Sequence, residues 1–495
     1  LGIVQKQAVR VNLINYLGFP IGYINIILLY QNYFETAEFG LISIFEKLSI
    51  FYMVTAMFGL HSVIFKYFPF FKTEDKKHNG FAGYIFLWTV AGGLISLGAL
   101  FLLKPIIIDV YQENSPLVVE YFNYLAPLCV FMLAYNVLEM MTRAVFRSVM
   151  PNLIREVFKR LIITVFLIFK ALGWIDFHTF FLCYLGTHLF IAFLLLAYLV
   201  YHKDYKLNFN FSAINRSYGA GILKFAGFSY LAGTTFILIQ SIDTFMLGAM
   251  VGLSDVGVYT MAFSFGALVT TPARALGNIS IPLVAEAWKE KDLAKISDLY
   301  KRTALIQMAV GLLLFIGIWV NKENLFHILK PEYKEGFSVI ILICLAQWID
   351  TATGMNATIL ATSEKYRFDL YFNLVLVAIS IVLNYLLIPV FDIEGAALAT
   401  LISISFFNFL KWIFLKKVFG FQPFDKGNLM LLIIGIPVWA IGYFLPWMGS
   451  IWVDIPVRSV STALLFCIPL YYLKTIPDVN AWVDKILGKF NLRMP

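Results

Sequence analysis

The chain has 495 residues, 60% of them hydrophobic and 14% charged, with a mean hydropathy of +0.80, against roughly 45–50% apolar and 25% charged in a soluble domain. That balance excludes a soluble globular enzyme and indicates an all-α, polytopic membrane protein. The net charge of +8 is accounted for by basic loops and calls for no nucleic-acid partner.

About 20 apolar residues cross a hydrocarbon core of about 30 Å. By that measure fourteen transmembrane helices are expected, approximately over 11–32, 38–61, 81–103, 117–140, 153–172, 179–201, 222–247, 256–276, 303–320, 336–360, 369–390, 395–415, 429–446 and 456–473. The first follows a short basic segment and ends in bulky residues, so it reads as an uncleaved anchor. Placing the N-terminus in the cytoplasm gathers most of the lysines and arginines on the inner side. Only Lys104, Lys170, Lys322, Lys330, Lys334 and Arg458 then fall outside, and Lys47 lies within a span. Both termini are expected to be cytoplasmic.

Internal repetition organises the spans. Glu38, Phe39 and Gly40 open the second span as Asp255, Val256 and Gly257 open the eighth. Glu120 and Phe122 match Glu335 and Phe337, and Arg147-Ser148 matches Thr362-Ser363, all at offsets of 215 to 217 residues. Two pseudo-symmetric six-helix lobes follow, 1–201 and 222–418, joined by a cytoplasmic linker at 202–221. A C-terminal helix pair at 429–473 falls outside the repeat. Two parallel lobes leave a cavity at their interface, the expected place for a transported substrate. Two further segments read as amphipathic helices resting on the inner surface, 283–300 and 477–492.

The stretch from Ile222 to Ala287 holds Asp243 near the outer end of one span and Arg274 near the inner end of the next. An ionisable group in a span costs several kcal/mol unless paired or hydrated, so both are functional candidates. Arg274 can alternatively snorkel to the interface. Cys129, Cys183, Cys344 and Cys467 lie in different spans without metal or disulfide spacing. No Walker A run, H-E-x-x-H or G-x-G-x-x-G motif is present, so the sequence encodes no recognisable ATP-driven or metallo-hydrolytic chemistry.

Four segments carry a family resemblance: Asp243 to Gly248 (DTFMLG) followed by Asp255 to Tyr259 (DVGVY), and Asn384 to Pro389 (NYLLIP) leading to Glu394 to Thr400 (EGAALAT). With the span arrangement, residues 1 to about 475 resemble the polysaccharide-exporter branch of the multidrug/oligosaccharidyl-lipid/polysaccharide transporter superfamily. The resemblance implies a non-enzymatic flippase that moves an undecaprenyl-diphosphate-linked oligosaccharide across the bacterial cytoplasmic membrane for O-antigen or capsule assembly. Membrane lipids and glycan polymerase machinery are the further partners it suggests. A lipid II flippase, a cation-coupled drug antiporter and, last, a membrane glycan polymerase are the alternatives; the outer loops near 104–116 and 321–335 are short for a polymerase.

A diphosphate calls for cationic contacts, for which Lys47, Arg274 and Arg143 are the candidates. Asp350, with Gln347 one turn earlier in the tenth span, would pair with one of these cations or, second, carry a proton. Glu46 beside Lys47 would neutralise a buried charge. No cofactor is expected beyond a coupling Na+ or H+. For that ion, Asn384 and Thr400 are each eight residues from a turn near Asp392, hence at equal depth, and Asp243 reaches a similar level. Their oxygen donors suit a hard cation, and the carboxylate alone suits a proton. By resemblance to lipid II flippases these residues occupy sodium-site positions, with Asn384 where a second carboxylate would stand and Ser380 where an asparagine would.

Overall fold

The computed structural model describes residues 3–211, 214 and 216–489. Among them every regular element is helical, as a backbone deprived of water requires, because its polar groups must then bond within their own segment. Chain packing divides the molecule into two compact units, Leu1–Gly257 and Val258–Pro495. The first contains α1 (Ile3–Tyr23), continued by a π-helical stretch Ile24–Tyr30, then α2 (Thr36–Met57), α3 (Leu60–Phe71), α4 (Phe81–Tyr111) and α5 (Pro116–Ala144). A second π stretch, Ile154–Phe158, precedes α6 (Lys159–Ala171), which is followed by α7 (Phe177–His202), α8 (Arg216–Met250) and the start of α9 (Leu253–Glu290). Beyond the rest of α9, the second unit comprises α10 (Leu293–Val320), α11 (Phe337–Ala352), α12 (Asn356–Thr362), α13 (Arg367–Phe419), α14 (Lys426–Phe444), α15 (Ile451–Tyr472) and α16 (Pro477–Lys489).

Among the described residues, eleven helices are long and apolar enough to cross a membrane, or twelve if the bent pair α11 and α12 is one span. The fourteen expected segments exceed that number at two places. Straight, the 53 residues of α13 would run about 80 Å, far beyond one hydrocarbon thickness. Asp392, however, has φ 47° and ψ −127°. A Cβ on Gly395 would lie 2.2 Å from the Leu387 carbonyl oxygen, although residues eight apart on a straight helix are separated by about 12 Å. The chain therefore reverses at Asp392, and α13 is two antiparallel arms that only glycine lets meet so closely. The other place is Ile154 to Ala171, where π geometry interrupts the helix and Arg155, Glu156, Lys159 and Arg160 crowd its first turns.

Polar residues set the helix starts. Glu35 and Glu38 form a reciprocal capping box on α2, Asp176 accepts from the Thr179 amide at α7, and Asp292 accepts from the Lys295 amide at α10. Each satisfies a backbone donor that the helix leaves open.

In the first unit the two copies of the acid-x-glycine repeat meet. A Cβ on Gly40 would lie 2.0 Å from the Leu253 carbonyl oxygen and 3.2 Å from the Gly257 nitrogen; one on Gly257 would lie 2.2 Å from the Thr36 carbonyl oxygen. Small residues permit this approach where lipid supplies no hydrophobic drive between helices. α8 packs along α2 and touches α3 and α4. The first compact unit thus extends through α8, whereas the repeat spacing puts the lobe boundary at 202–221.

The expected surface helix at 283–300 is corrected. Lys291 is left-handed (φ 57°) and Asp292 caps α10, so the segment is a corner between α9 and α10. Its apolar residues Val284, Ala287, Ile296 and Tyr300 are fully buried against Met355, Ile359, Leu415 and Phe421. Their periodicity marks a face buried in protein, which sequence alone does not distinguish from one resting on lipid. The second expected amphipathic segment, 477–492, forms the helix α16, its last expected residues lying outside the described ones. Arg302 joins it to α10 through Asp478 at 3.0 Å. The linker residues 204–211 cover one end of the first unit, with Lys206 bonding the Lys76 carbonyl at 2.8 Å and Tyr205 the Met141 carbonyl at 2.8 Å.

Candidate functional site

Lys47 projects from α2 toward α8. Its Nζ donates to the Gln240 carbonyl at 3.1 Å and to the Thr244 hydroxyl at 2.5 Å, so the ammonium lies over the turn that carries Asp243. Both the Asp243 and Glu46 carboxylates are in its electrostatic reach. Glu46 in turn faces Lys159 of α6, 3.5 Å away. The structure thus brings together a proposed phosphate contact, Lys47, and a proposed cation ligand, Asp243, which sequence reading assigned to separate sites. Lys159, placed on the inner margin by the charge count, joins them.

Arg143 lies in a second charged cluster of the first unit. Its Nη2 reaches Glu139 at 2.6 Å, one turn earlier on α5, and Asn152 at 3.2 Å. Glu139 is fully buried and also accepts Arg155 at 2.9 Å. Arg155 continues to Glu156 at 3.0 Å, and Arg160 reaches Glu156 at 2.6 Å and the Gly18 carbonyl at 2.6 Å. Asn25 donates to the Arg160 carbonyl at 3.2 Å, which ties the first π stretch to the start of α6. π-Helical segments of this kind are frequent at functional sites. Sequence reading missed Glu139, although its spacing of four from Arg143 is the ordinary signal of a helical ion pair.

In the second unit Asp350 accepts the Asn408 amide at 2.8 Å. Asn408 also accepts from Thr353 and Asn356, each at 2.8 Å. Asp350 is therefore part of an amide and hydroxyl network. Gln347 packs, with Ile343, against Gly266 of α9. The nearby buried lysine, Lys411, is 2.8 Å from Asp369 and 4.1 Å above the Phe407 ring. Arg274 lies in α9, but its side chain is outside the described residues.

Ser380, Asn384 and Thr400 are buried on the two arms of α13. Asn384 donates to the Ser380 carbonyl at 2.9 Å. The Thr400 hydroxyl donates to the Ala396 carbonyl at 3.0 Å and lies 3.0 Å from the Tyr259 hydroxyl. Asp243 belongs to the first unit and these three to the second.

A third ionic feature also escaped sequence reading. Asp454 and Arg458 on α15 are almost completely buried and bonded at 2.9 Å. Asn324 donates to Asp454. Arg458 spends its remaining donors on the Gly442 and Leu445 carbonyls, at 2.8 and 3.1 Å, at the end of α14. The abundant aromatic rings are likewise largely structural. Tyr30, Phe34, Phe177 and Phe180 interleave at centroid distances of 4.8 to 6.1 Å in the first unit, within the range of favourable aromatic pairs.

Comparison with known proteins agrees with this architecture. Residues 229–386 match the MatE family model. A probable flippase of Haloferax volcanii, AglR, is 22% identical over 204 residues, or 41% of this chain and 43% of that protein. The capsular polysaccharide biosynthesis protein CapF of Staphylococcus aureus is 24% identical over 149 residues, 29% of this chain and 37% of that protein. The matches thus span less than half the length of these curated relatives. Among solved structures, the lipid II flippase MurJ in an inward closed conformation superposes with a TM-score of 0.75 at 12% identity, covering 94% of this chain and all of that one. An inward-facing multidrug resistance MATE family transporter of the MOP superfamily gives 0.63 at 13% identity, over 82% and 94% of the two chains. At such identities the likeness is one of fold.

Proposed function

We propose, for a flippase-like membrane transporter with the fold of the MOP superfamily and a MatE segment, that the cargo is an undecaprenyl-diphosphate-linked oligosaccharide destined for a surface polysaccharide. The bacterial cytoplasmic membrane is its proposed location, and alternating access by two six-helix lobes its mechanism. The observation that carries this reading is Lys47, an ammonium held inside a span with two carboxylates, Asp243 and Glu46, in electrostatic reach. A diphosphate needs such cations, and a structural role alone would favour a closed pair. Arg274 and Arg143 are the other proposed diphosphate contacts, with Asp350 and Gln347 contributing polar lining. Asp243, Asn384, Thr400 and Ser380 are the proposed coupling-cation ligands for Na+ or H+.

Lipid II flipping is the second reading, favoured by the extent of the MurJ superposition. Reconstituted vesicles loaded on one side with defined lipid-linked glycans separate the two. Flipping of an oligosaccharide-linked substrate with lipid II left behind is the expected result. Movement of lipid II alone would replace the first reading with the second, and movement of neither would overturn both.

A further inference from the structure

Four charges of alternating sign run across three helices of the first unit: Lys159 on α6, Glu46 and Lys47 on α2, and Asp243 on α8. Lys159 and Glu46 are 3.5 Å apart. Lys47 is anchored to the turn 240–244 by its bonds to the Gln240 carbonyl and Thr244 hydroxyl, with Asp243 and Glu46 in electrostatic reach. The formal charges sum to zero. Other titratable groups face this ladder from neighbouring helices: Tyr30 from the end of α1 and Tyr184 from α7 are near Glu46, and His188 from α7 is near Lys159. Tyr111 at the end of α4 bonds the Phe245 carbonyl at 3.1 Å. Lys66 of α3, the other cation facing α8, lies over Phe225, more than four turns away along that helix.

We propose that the Lys47 ammonium is the resident counter-ion of Asp243, and that a coupling cation arriving at Asp243 releases Lys47 to bind an anionic phosphate. The proposal rests on the flippase reading above for its cargo, but its chemistry is confined to these four side chains. When Asp243 is neutralised by a bound cation, Glu46 is the carboxylate still in electrostatic reach of Lys47, and Lys159 already engages it. The ladder then carries one uncompensated positive charge, costly in a membrane-embedded site and relieved by an anion. A lysine suits the exchange, because its charge is a compact point on a flexible stem with three rotatable donors. An arginine fork satisfied by several fixed carbonyls would not move as readily. By linkage the effect is reciprocal: phosphate held by Lys47 tightens the cation at Asp243 by the same factor. The two sites assigned to diphosphate and coupling ion are thereby one exchange device.

The test uses the full chain in lipid nanodiscs, with inorganic pyrophosphate as the probe and binding measured calorimetrically. At constant ionic strength and pH, replacing choline by Na+ is expected to tighten pyrophosphate binding on the order of 5- to 150-fold, the usual span of allosteric coupling. Asp243→Asn should bind tightly in either salt with that dependence gone. Lys47→Met should bind weakly in both, and Lys47→Arg should keep part of the response. Wild-type pyrophosphate binding that is indifferent to Na+, or absent under all conditions, overturns the proposal without recourse to any variant. So does Asp243→Asn that retains the dependence. Flipping of lipid-linked glycan is scored separately. Cation-linked pyrophosphate binding without glycan flipping would refute the cargo and leave the exchange standing, and glycan flipping without that linkage would do the reverse.

Discussion

Two pairs of opposite charges, Asp454 bonded to Arg458 on α15 and Lys47 anchored over the turn that carries Asp243 across α2 and α8, show how differently the same chemistry is used. In the first, both partners are almost fully buried, lie one turn apart on one helix and have their remaining valences met by Asn324 and the end carbonyls of α14. Among the described residues Arg458 is the charge that acts on Asp454, so the pair is closed. In the second, both residues are only partly buried, stand on different helices and share their neighbourhood with Glu46 and Lys159. A buried charge with a single fully bonded partner holds structure together; one with a choice of partners can change state.

The largest expected effect comes from opening the closed pair. Arg458→Met leaves Asp454 buried without its counter-ion and should destabilise the protein by about 3–5 kcal/mol, read as a lowered thermal midpoint in detergent. Removing both charges, with Asp454→Asn added, should recover most of the loss. Failure to recover would mean that the α14 carbonyls, and not the pair, set the stability.

An intermediate case lies in the Glu139 cluster, where one buried carboxylate serves two partly exposed guanidinium groups. Glu139→Gln keeps the shape but removes the charge, and a loss of about 1.5–3 kcal/mol is expected, the range for hydrogen bonds to charged groups. Chemical denaturation measures it. A loss as large as that of Arg458→Met would erase the distinction drawn between fully and partly buried partners.

For Lys47→Met a smaller change in stability than either is expected, because Glu46 retains Lys159, together with abolished glycan flipping in vesicles. Normal flipping by this variant would dispose of Lys47 as a phosphate contact. At the lower end, Lys295→Ala removes a solvent-exposed partner 3.6 Å from Glu290, and a shift of about 0.5 kcal/mol or less is anticipated from the same denaturation curves. A shift above about 1 kcal/mol would show that exposed pairs at the α9–α10 corner count for more than their hydration suggests.

Much of the architecture was legible in advance. The apolar runs locate the helices, and Glu38-x-Gly40 and Asp255-x-Gly257 announce both a repeat and two helix starts. The turn expected near Asp392 is matched by the reversal that makes α13 a hairpin. Less legible was which apolar face meets protein. Val284, Ile296 and Tyr300 have the periodicity of a surface-resting helix, yet the left-handed Lys291 folds them into the core. The ionic pairs were least accessible. Glu139 with Arg143 and Asp454 with Arg458 carry the helical spacing of four and were within reach of a systematic scan. Lys47 with the turn around Asp243, almost 200 positions along the chain, carries no such mark.

By itself the sequence determined the class, the approximate positions of the helices and their punctuation, because hydropathy and capping are local properties of the chain. Only the tertiary structure decided which charge faces which. Side-chain pairing between helices depends on the rotation and register of each helix against the next, and where lipid is as apolar as a protein core, the hydrophobic pattern says little about either. Close glycine contacts such as Gly40 with Gly257 set how α2 meets α9, and the packing of α8 along α2 places Lys47 over the turn that carries Asp243.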